Sequence, residues 1–492
     1  MIAEMLRDPS LVKAAGFING QWIDAEDMKT FEVENPSTTR LLARVADLGA
    51  DETQRAIVAA HQAMERWQSV TAKEKSILLR RWFELVLEHK DDLATLMTAE
   101  QGKVISEAKG EVVYGASYIE WFAEETKRIY GDILPATTSD RRSLVIRQPV
   151  GVVGAITPWN FPIAMITRKV APALAAGCAI VLKPAAETPL CALALAELAQ
   201  RAGIPDGLFN VIPGTDAAAI GQVLTSHPLV KKVTFTGSTR VGKILMEQSA
   251  RGVKRTSMEL GGNAPVIVFE DADLEKAVSG VLAVKYRNSG QTCICANRIL
   301  VQQSIYERFL ELLTRKVAEF VTGDGFDVSV TSGPLITRQA VNNVDALVKD
   351  AVSKGAGVCI GGKPASGTGH CYEPTVLRDL TADMRLAKEE VFGPVAPVFP
   401  FEDEAAAVAM ANDTEFGLAA YVFTKDSSRV WRVSERLEYG MVGVNETAIS
   451  SEMIPFGGVK ESGQGREGSK YGLEDYSELK YICMGDIEPG VI

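Results

Sequence analysis

A chain of 492 residues is long enough for two or three packed modules at roughly 150 residues each, and with 46% hydrophobic and 23% charged residues it can build a sizeable core without disulfide or metal staples. A net charge of −11 argues against nucleic acid or an anionic membrane as the main partner, and leaves a small anionic substrate open only if local arginines hold it. Seven scattered cysteines fit no secreted disulfide framework, and the opening MIAEMLRDPSLVKAAGF has no signal-peptide core, so a reducing cytoplasm is the expected compartment.

The opening segment carries turn signals at Asn19-Gly20 and Asn35-Pro36 between short β-prone runs. From 51 to 126 the period turns helical, with Asp51 and Thr71 as candidate caps and Ile77, Leu78, Trp82, Leu85 and Val86 on one face. After Arg147 short apolar runs alternate with Ala-rich helices: VVGAIT (152–157) precedes a helix through Ala175, AIVLKP (179–184) one through Arg201, and KKVTFTG (231–237) one through Ala250. With FNVIPG (209–214) and its own helix, this is the alternation of a parallel α/β sheet, whose ligands sit at the strand C-terminal ends. The apolar stretch near 170–182 is too short and too rich in Pro, Gly and Ala to span a bilayer. A second series follows, with strands expected in APVIVFED (264–271), RILVQ (298–302) and AAYVFT (419–424), and a boundary near 258–261. The chain closes on YSELKYICM, β-like in pattern, as a tail that docks elsewhere.

Four local runs carry chemistry. In GQTCICANR (290–298) a helix ending near Asn288, with Gly290 as its left-handed cap, places Cys293 in a turn. There it is either a nucleophile or, as most lone cysteines are, a buried and inert thiol. In MELGGNAP (258–265) Glu259 ends a β-prone run before two glycines, placed to activate water or simply as a strand-end carboxylate. In ITPWNFP (156–162) Asn160 is either the N-cap of a helix starting near Pro162 or an amide donor to an oxyanion. FTGSTRVG (235–242) is a strand-to-helix turn that lacks the middle glycine of the dinucleotide fingerprint, though its helix start still attracts phosphate. Four scattered histidines form no ligand cluster, so no metal site is expected.

In order and spacing these runs, together with EEVFGP (389–394) and PFGG (455–458), resemble the aldehyde dehydrogenase superfamily from INGQW near the start to SELKYIC near the end. The wording is most similar to bacterial succinate-semialdehyde dehydrogenases, with glutarate-semialdehyde dehydrogenases a near relative. It is carried by AEQGK (99–103), SYIEWFAEETKRIYGD (117–132), AMITRKVAPALAAGC (164–178), KYRNSGQTCICANR (285–298), NDTEFGLAAYVF (412–423) and FGGVKESGQGREGSKYGLEDYSELKYIC (456–483).

The resemblance implies an α/β fold with a Rossmann-type dinucleotide-binding domain (1–134 and 151–258), an α/β catalytic domain (259–455) and a small β bridging element (135–150 with 470–492) that joins subunits into a homodimer or homotetramer. It implies NAD(P)-dependent oxidation of succinate semialdehyde through a thiohemiacetal and thioester on Cys293, with Glu259 as general base and Asn160, beside the Cys293 backbone amide, as the oxyanion hole. Trp159, Lys183, Gly237, Ser238, Leu260, Glu390 and Phe392 would line the cofactor groove. Ala186 stands where NAD-preferring relatives often carry a ribose-binding glutamate, the acid here being Glu187, and Arg240 replaces a glutamate; both changes favour NADP, with NAD possible. Arg168, Arg287 and Ser450 would bind the far carboxylate, as bidentate arginines do, unless the arginines are ordinary ion-pair or helix-end partners. Cys295 is either a packing residue or a redox partner for Cys293. Glutarate semialdehyde or a broader aldehyde range remains open, as does a structural or regulatory nucleotide-binding relative.

Overall fold

The computed structural model describes residues 2–367 and 369–488. Two large sheets organise it. In the first, five parallel strands run in the order Phe209–Val211, Ile180–Lys183, Val152–Ile156, Val230–Thr236, Arg255–Glu259. Numbered along the chain this is 3-2-1-4-5, so the strand order reverses between Val152–Ile156 and Val230–Thr236, and a crevice opens there beyond their C-terminal ends. Antiparallel strands close both edges: Gly16–Ile18 on one, Gly463–Gln464 on the other. Gly463 has to be glycine, because a Cβ there would lie 1.8 Å from the Met258 carbonyl and its φ is +126°.

The expected strands and helices form because each strand is covered on both faces, which suits uninterrupted runs such as the fully buried Ile180–Lys183. Trp67 and Trp82 pin the N-terminal helices to this layer, donating from Nε1 to the carbonyls of Leu174 (3.0 Å) and Leu195 (3.2 Å). The helical region begun at 51 is four helices, Ala50–Trp67, Ala72–Glu88, Lys90–Gln101 and Ile105–Glu125. Thr71 does cap the second, in a reciprocal box with Glu74, while Gly49 rather than Asp51 precedes the first.

The second sheet has the order Gly357–Ile360, Thr375–Arg378, Val395–Phe401, Ala296–Gln302, Ala264–Val268, Ala419–Phe423, Met441–Val444, parallel except for its first strand. A third, antiparallel sheet joins Ser477–Met484 along its whole length to Arg142–Pro149, and that strand to Asp132–Leu134. The docking partner of the tail is therefore the 142–149 strand of its own chain; residues 489–492 of the tail lie outside the described residues. This sheet leaves large apolar side chains in the open, with Ile133 81%, Leu479 63% and Tyr481 59% exposed.

Candidate active site

The C-terminal edge of the first sheet faces the start of a central strand of the second. Val152–Ile156 ends, Pro158 and Trp159 turn the chain, and buried Asn160 follows. Asn160 is not a helix cap: the helix starts at Ala164, and Glu111 from a distant helix accepts from the N–H groups of Ile163 (2.9 Å) and Ala164 (3.2 Å). Relieved of capping, the Asn160 amide donates from Nδ2 to the Gln291 carbonyl (3.1 Å), in the loop that leads to Cys293.

That loop also departs from expectation. The helix ends at Lys285, earlier than Asn288, and the chain then turns through Asn288 and Ser289, both left-handed (φ 50° and 54°), before Gly290 (φ 77°). The Glu107 carboxylate draws the Asn288 N–H out of any continuing helix, at 3.0 and 3.2 Å. The Cys293 carbonyl then passes so close to Gly262 that a Cβ there would lie 2.2 Å from it. Burial pushes the Cys293 thiol up to about 12, with Glu390 adding to the rise, Arg168 opposing it and Glu259 adding again. The thiol is protonated at neutral pH and has to lose that proton to become a nucleophile.

Glu259 ends its strand paired with Thr236 and Gly463, buried, its Oε2 without a hydrogen-bond partner among the described residues. Burial and the neighbouring Glu467 push its carboxyl well above the usual range, against Arg168, Lys169 and Arg466. Such a shift makes Glu259 a stronger proton acceptor than an ordinary carboxylate.

Behind it lies a charge cluster. Glu467 receives the Lys169 ammonium on Oε1 and stands 2.8 Å from Arg168 Nε through Oε2. The Arg168 guanidinium lies 4.0 Å from the Phe456 ring centre and 5.3 Å from that of Tyr118. Its Nη1 reaches the Tyr114 hydroxyl (3.5 Å), which is hydrogen-bonded to Ser450, while its Nη2 is buried with no hydrogen-bond partner among the described residues. Arg168 and Ser450 thus meet through Tyr114. Arg287 stands apart: half-buried, 4.8 Å from the Phe161 ring centre, lining a separate cavity of about 510 Å3 with Lys103, Glu107 and Glu111. Among the described residues no hydrogen bond or ion pair joins Arg287 to Arg168 or Ser450.

A cavity of about 230 Å3 gathers Trp159, Asn160, Gly237, Ser238, Leu260, Cys293, Glu390 and Phe392. Trp159 packs edge-on to Phe392 at 5.5 Å. Ser238 caps Thr239–Ala250, accepting from Val241 N–H, so a helix N-terminus points at the crevice. Glu390 accepts from Gly262 N–H (3.1 Å), and burial pushes its carboxyl up to about 8. Lys183 and Ala186 are not in this cavity. Lys183 ends its strand buried, with only the Pro184 carbonyl (3.1 Å) on its ammonium, and burial lowers its pKa. A buried ammonium with no ion pair among the described residues, at the same sheet edge as a helix start, fits the ribose and phosphates of a dinucleotide. Ala186 instead lines a cavity of about 480 Å3 with exposed Glu187, Thr215 and Arg338. Arg240 is exposed in the first helical turn. Cys295 is buried, its Sγ turned to the Lys285 carbonyl (3.4 Å), and both it and Cys293 are free thiols.

The sequence reading passed over Glu467, Lys169 and Tyr114. Glu467 lies inside the quoted 456–483 run and Lys169 beside Arg168, but no local pattern marks either; their contacts span 298 residues.

The Aldehyde dehydrogenase family profile matches residues 22–482. The chain is 58% identical to the NADP(+) succinate-semialdehyde dehydrogenase of Escherichia coli (strain K12), over 98% of this chain and 99% of that protein. It is 56% identical to the glutarate-semialdehyde dehydrogenase of Pseudomonas aeruginosa, over 98% and 100%. Among solved structures, succinate-semialdehyde dehydrogenase from Burkholderia pseudomallei superposes with a TM-score of 0.97 at 54% identity, covering 98% of this chain and 99% of that one. The fold, with its Rossmann-type sheet and its second α/β sheet, and the match over nearly the whole length agree: this chain belongs to the aldehyde dehydrogenase family.

Proposed function

We propose that this enzyme oxidises succinate semialdehyde to succinate with NADP. The observation that carries the substrate class is the buried Arg168 Nη2, without a protein partner beside the Tyr114 and Ser450 hydroxyls and close enough to Cys293 and Glu259 to act on both charges. A buried guanidinium edge flanked by hydroxyls suits a carboxylate. The relatives' names point the same way.

In the mechanism, the Cys293 thiol gives its proton up to solvent, and the thiolate forms a C–S bond to the aldehyde carbon. The carbonyl oxygen becomes an oxyanion, held by Asn160 Nδ2 and the Cys293 N–H; losing one such donor costs about 3 kcal/mol. A nicotinamide held in the cavity lined by Trp159, Leu260, Glu390 and Phe392 would supply the hydride acceptor for re-formation of the C–O double bond, which leaves a thioester on Cys293. Glu259 then removes a proton from water, the hydroxide attacks the thioester carbon, and the C–S bond breaks to return the thiolate and release the acid. Glu259 gives that proton up to solvent before the next turnover. NADP in preference to NAD is supported by Lys183, which has no carboxylate partner, and by Ala186 and Arg240 in place of acids.

The two large sheets support a division of labour into cofactor (1–134, 151–258) and catalytic (259–455) parts, with Asp132–Leu134 going to the bridging sheet and Gly463–Gln464 to the edge of the cofactor sheet. The exposed apolar sheet built on 142–149 and 477–484 serves self-association into a dimer or tetramer. Among the described residues no helix is long and apolar enough to cross a membrane, and no cluster of His, Cys, Asp and Glu is arranged to hold a metal. Its free cysteines suit a reducing compartment, and we place the enzyme in the cytoplasm. The glutarate relative keeps a five-carbon semialdehyde as a second reading. Steady-state kcat/KM for succinate semialdehyde, glutarate semialdehyde and butyraldehyde, each with NADP and NAD, tests both. Succinate semialdehyde with NADP should lead, and butyraldehyde as good as either semialdehyde would remove the carboxylate site.

A further inference from the structure

The AEQGK run puts a lysine where no charge is cheap. Gly102 ends the helix Lys90–Gln101 in a left-handed turn (φ 92°), and Lys103 is carried inward until it is only 2% exposed. Its ammonium meets three groups: the Glu111 carboxylate, the Asn160 main-chain carbonyl (2.8 Å) and the face of Phe161 (4.0 Å to the ring centre). The other oxygen of Glu111 caps Ile163 and Ala164. Lys103 and Glu111 thus grip both ends of the segment 160–164. The Asn160 carbonyl has a second clamp in Asn288 Nδ2 (2.9 Å), and Asn288 is held by Glu107, one turn before Glu111 on the same helix. One helix therefore ties down the Asn160 turn through Glu111 and the Cys293 loop through Glu107.

A buried ion pair is weak evidence of stabilisation, since packed apolar side chains of similar volume serve as well or better. What the pair does supply is direction: it fixes a carbonyl, and through it the amide plane of the residue carrying the oxyanion donor. We propose that Lys103 is a positioning residue for the oxyanion site, holding the Asn160 main chain so that its side-chain amide keeps its place relative to Cys293. This rests on the reading of Asn160 as an oxyanion donor.

The test is a double-mutant cycle of Lys103→Met and Asn160→Ala. It is read by succinate-semialdehyde turnover with NADP and by Cys293 alkylation with iodoacetamide, a displacement that creates no oxyanion. Lys103→Met should lower kcat by about 10- to 100-fold, short of the roughly 100- to 1,000-fold that a lost oxyanion donor costs. KM should stay within about threefold and alkylation within about twofold, because the interaction acts only as the oxyanion forms. The double variant should be no slower than Asn160→Ala alone, since the two residues act as one unit. Should Lys103→Met fail to fold, Lys103→Met/Glu111→Gln removes both charges, keeps an oxygen to cap Ile163 and Ala164, and carries the same cycle. Unchanged turnover, a loss spread equally over kcat, KM and alkylation, or one that multiplies with Asn160→Ala overturns the inference and leaves the oxyanion site standing. Near-normal turnover in Asn160→Ala overturns the oxyanion site itself, and the inference with it.

Discussion

Arg168→Met separates two jobs that one guanidinium does. Its Nε is ion-paired with Glu467 and its Nη1 reaches the Tyr114 hydroxyl, which leaves Nη2, unpartnered among the described residues, for a substrate carboxylate. A hydrogen bond to a charged partner is worth about 1.5–3 kcal/mol, which is about 10- to 150-fold in kcat/KM. Removing the arginine also takes away a positive charge that opposes the upward shifts of Cys293 and Glu259, and leaves Glu467 with Lys169 alone. That second loss falls on every aldehyde. The informative quantity is the ratio of kcat/KM for succinate semialdehyde to that for butyraldehyde, measured on wild type and variant under the same conditions. It should fall by about 10- to 150-fold while butyraldehyde itself also slows. An unchanged ratio would refute the carboxylate assignment and leave Arg168 as part of the Glu467 cluster only. Arg287 lines a separate cavity, so Arg287→Ala should leave the ratio of the two substrates near that of the wild type.

Other outcomes follow from the same geometry. Glu259→Gln should give a single-turnover burst of reduced cofactor followed by slow steady turnover, and equal loss of both phases would assign Glu259 an earlier role. In the cofactor-free enzyme the thiolate is the reactive form and burial holds the thiol up to about 12, so iodoacetamide inactivation should rise about tenfold per pH unit from 7 to 9; a plateau within that range would contradict the buried, protonated thiol. Ala186→Glu should shift preference towards NAD, and an unchanged NADP/NAD ratio in kcat/KM would mean that this position, which lies outside the main cavity, does not read the ribose. Ile133→Asp with Leu479→Asp should lower the molecular mass in light scattering, and an unchanged assembly would place the interface elsewhere.

Much of this was legible because the physics is local. Parallel strands covered on both faces must be apolar runs, so 180–183 and 264–268 announce themselves, and the motif runs place Asn160, Glu259 and Cys293 before any coordinates are seen. What escaped was decided across long chain separations. Asn160 reads as a helix cap until Glu111 takes over the capping from a helix of its own. Asn288 reads as helical until Glu107 claims its N–H. Glu467 sits in an unremarkable Gly-rich run, and its meeting with Lys169 is visible only once the two sheets are assembled. Gly463–Gln464 is too short to read as a strand, yet it closes the edge beside Glu259.

Covalent catalysis is tested most directly by trapping the acyl enzyme. Glu259→Gln is mixed with succinate semialdehyde and NADP, quenched in acid, and its peptides are weighed. One succinyl group should appear on the peptide carrying Cys293, with none when NADP is omitted and none in Cys293→Ala. A burst of NADPH without that adduct, or an adduct on any other residue, would contradict a thioester on Cys293.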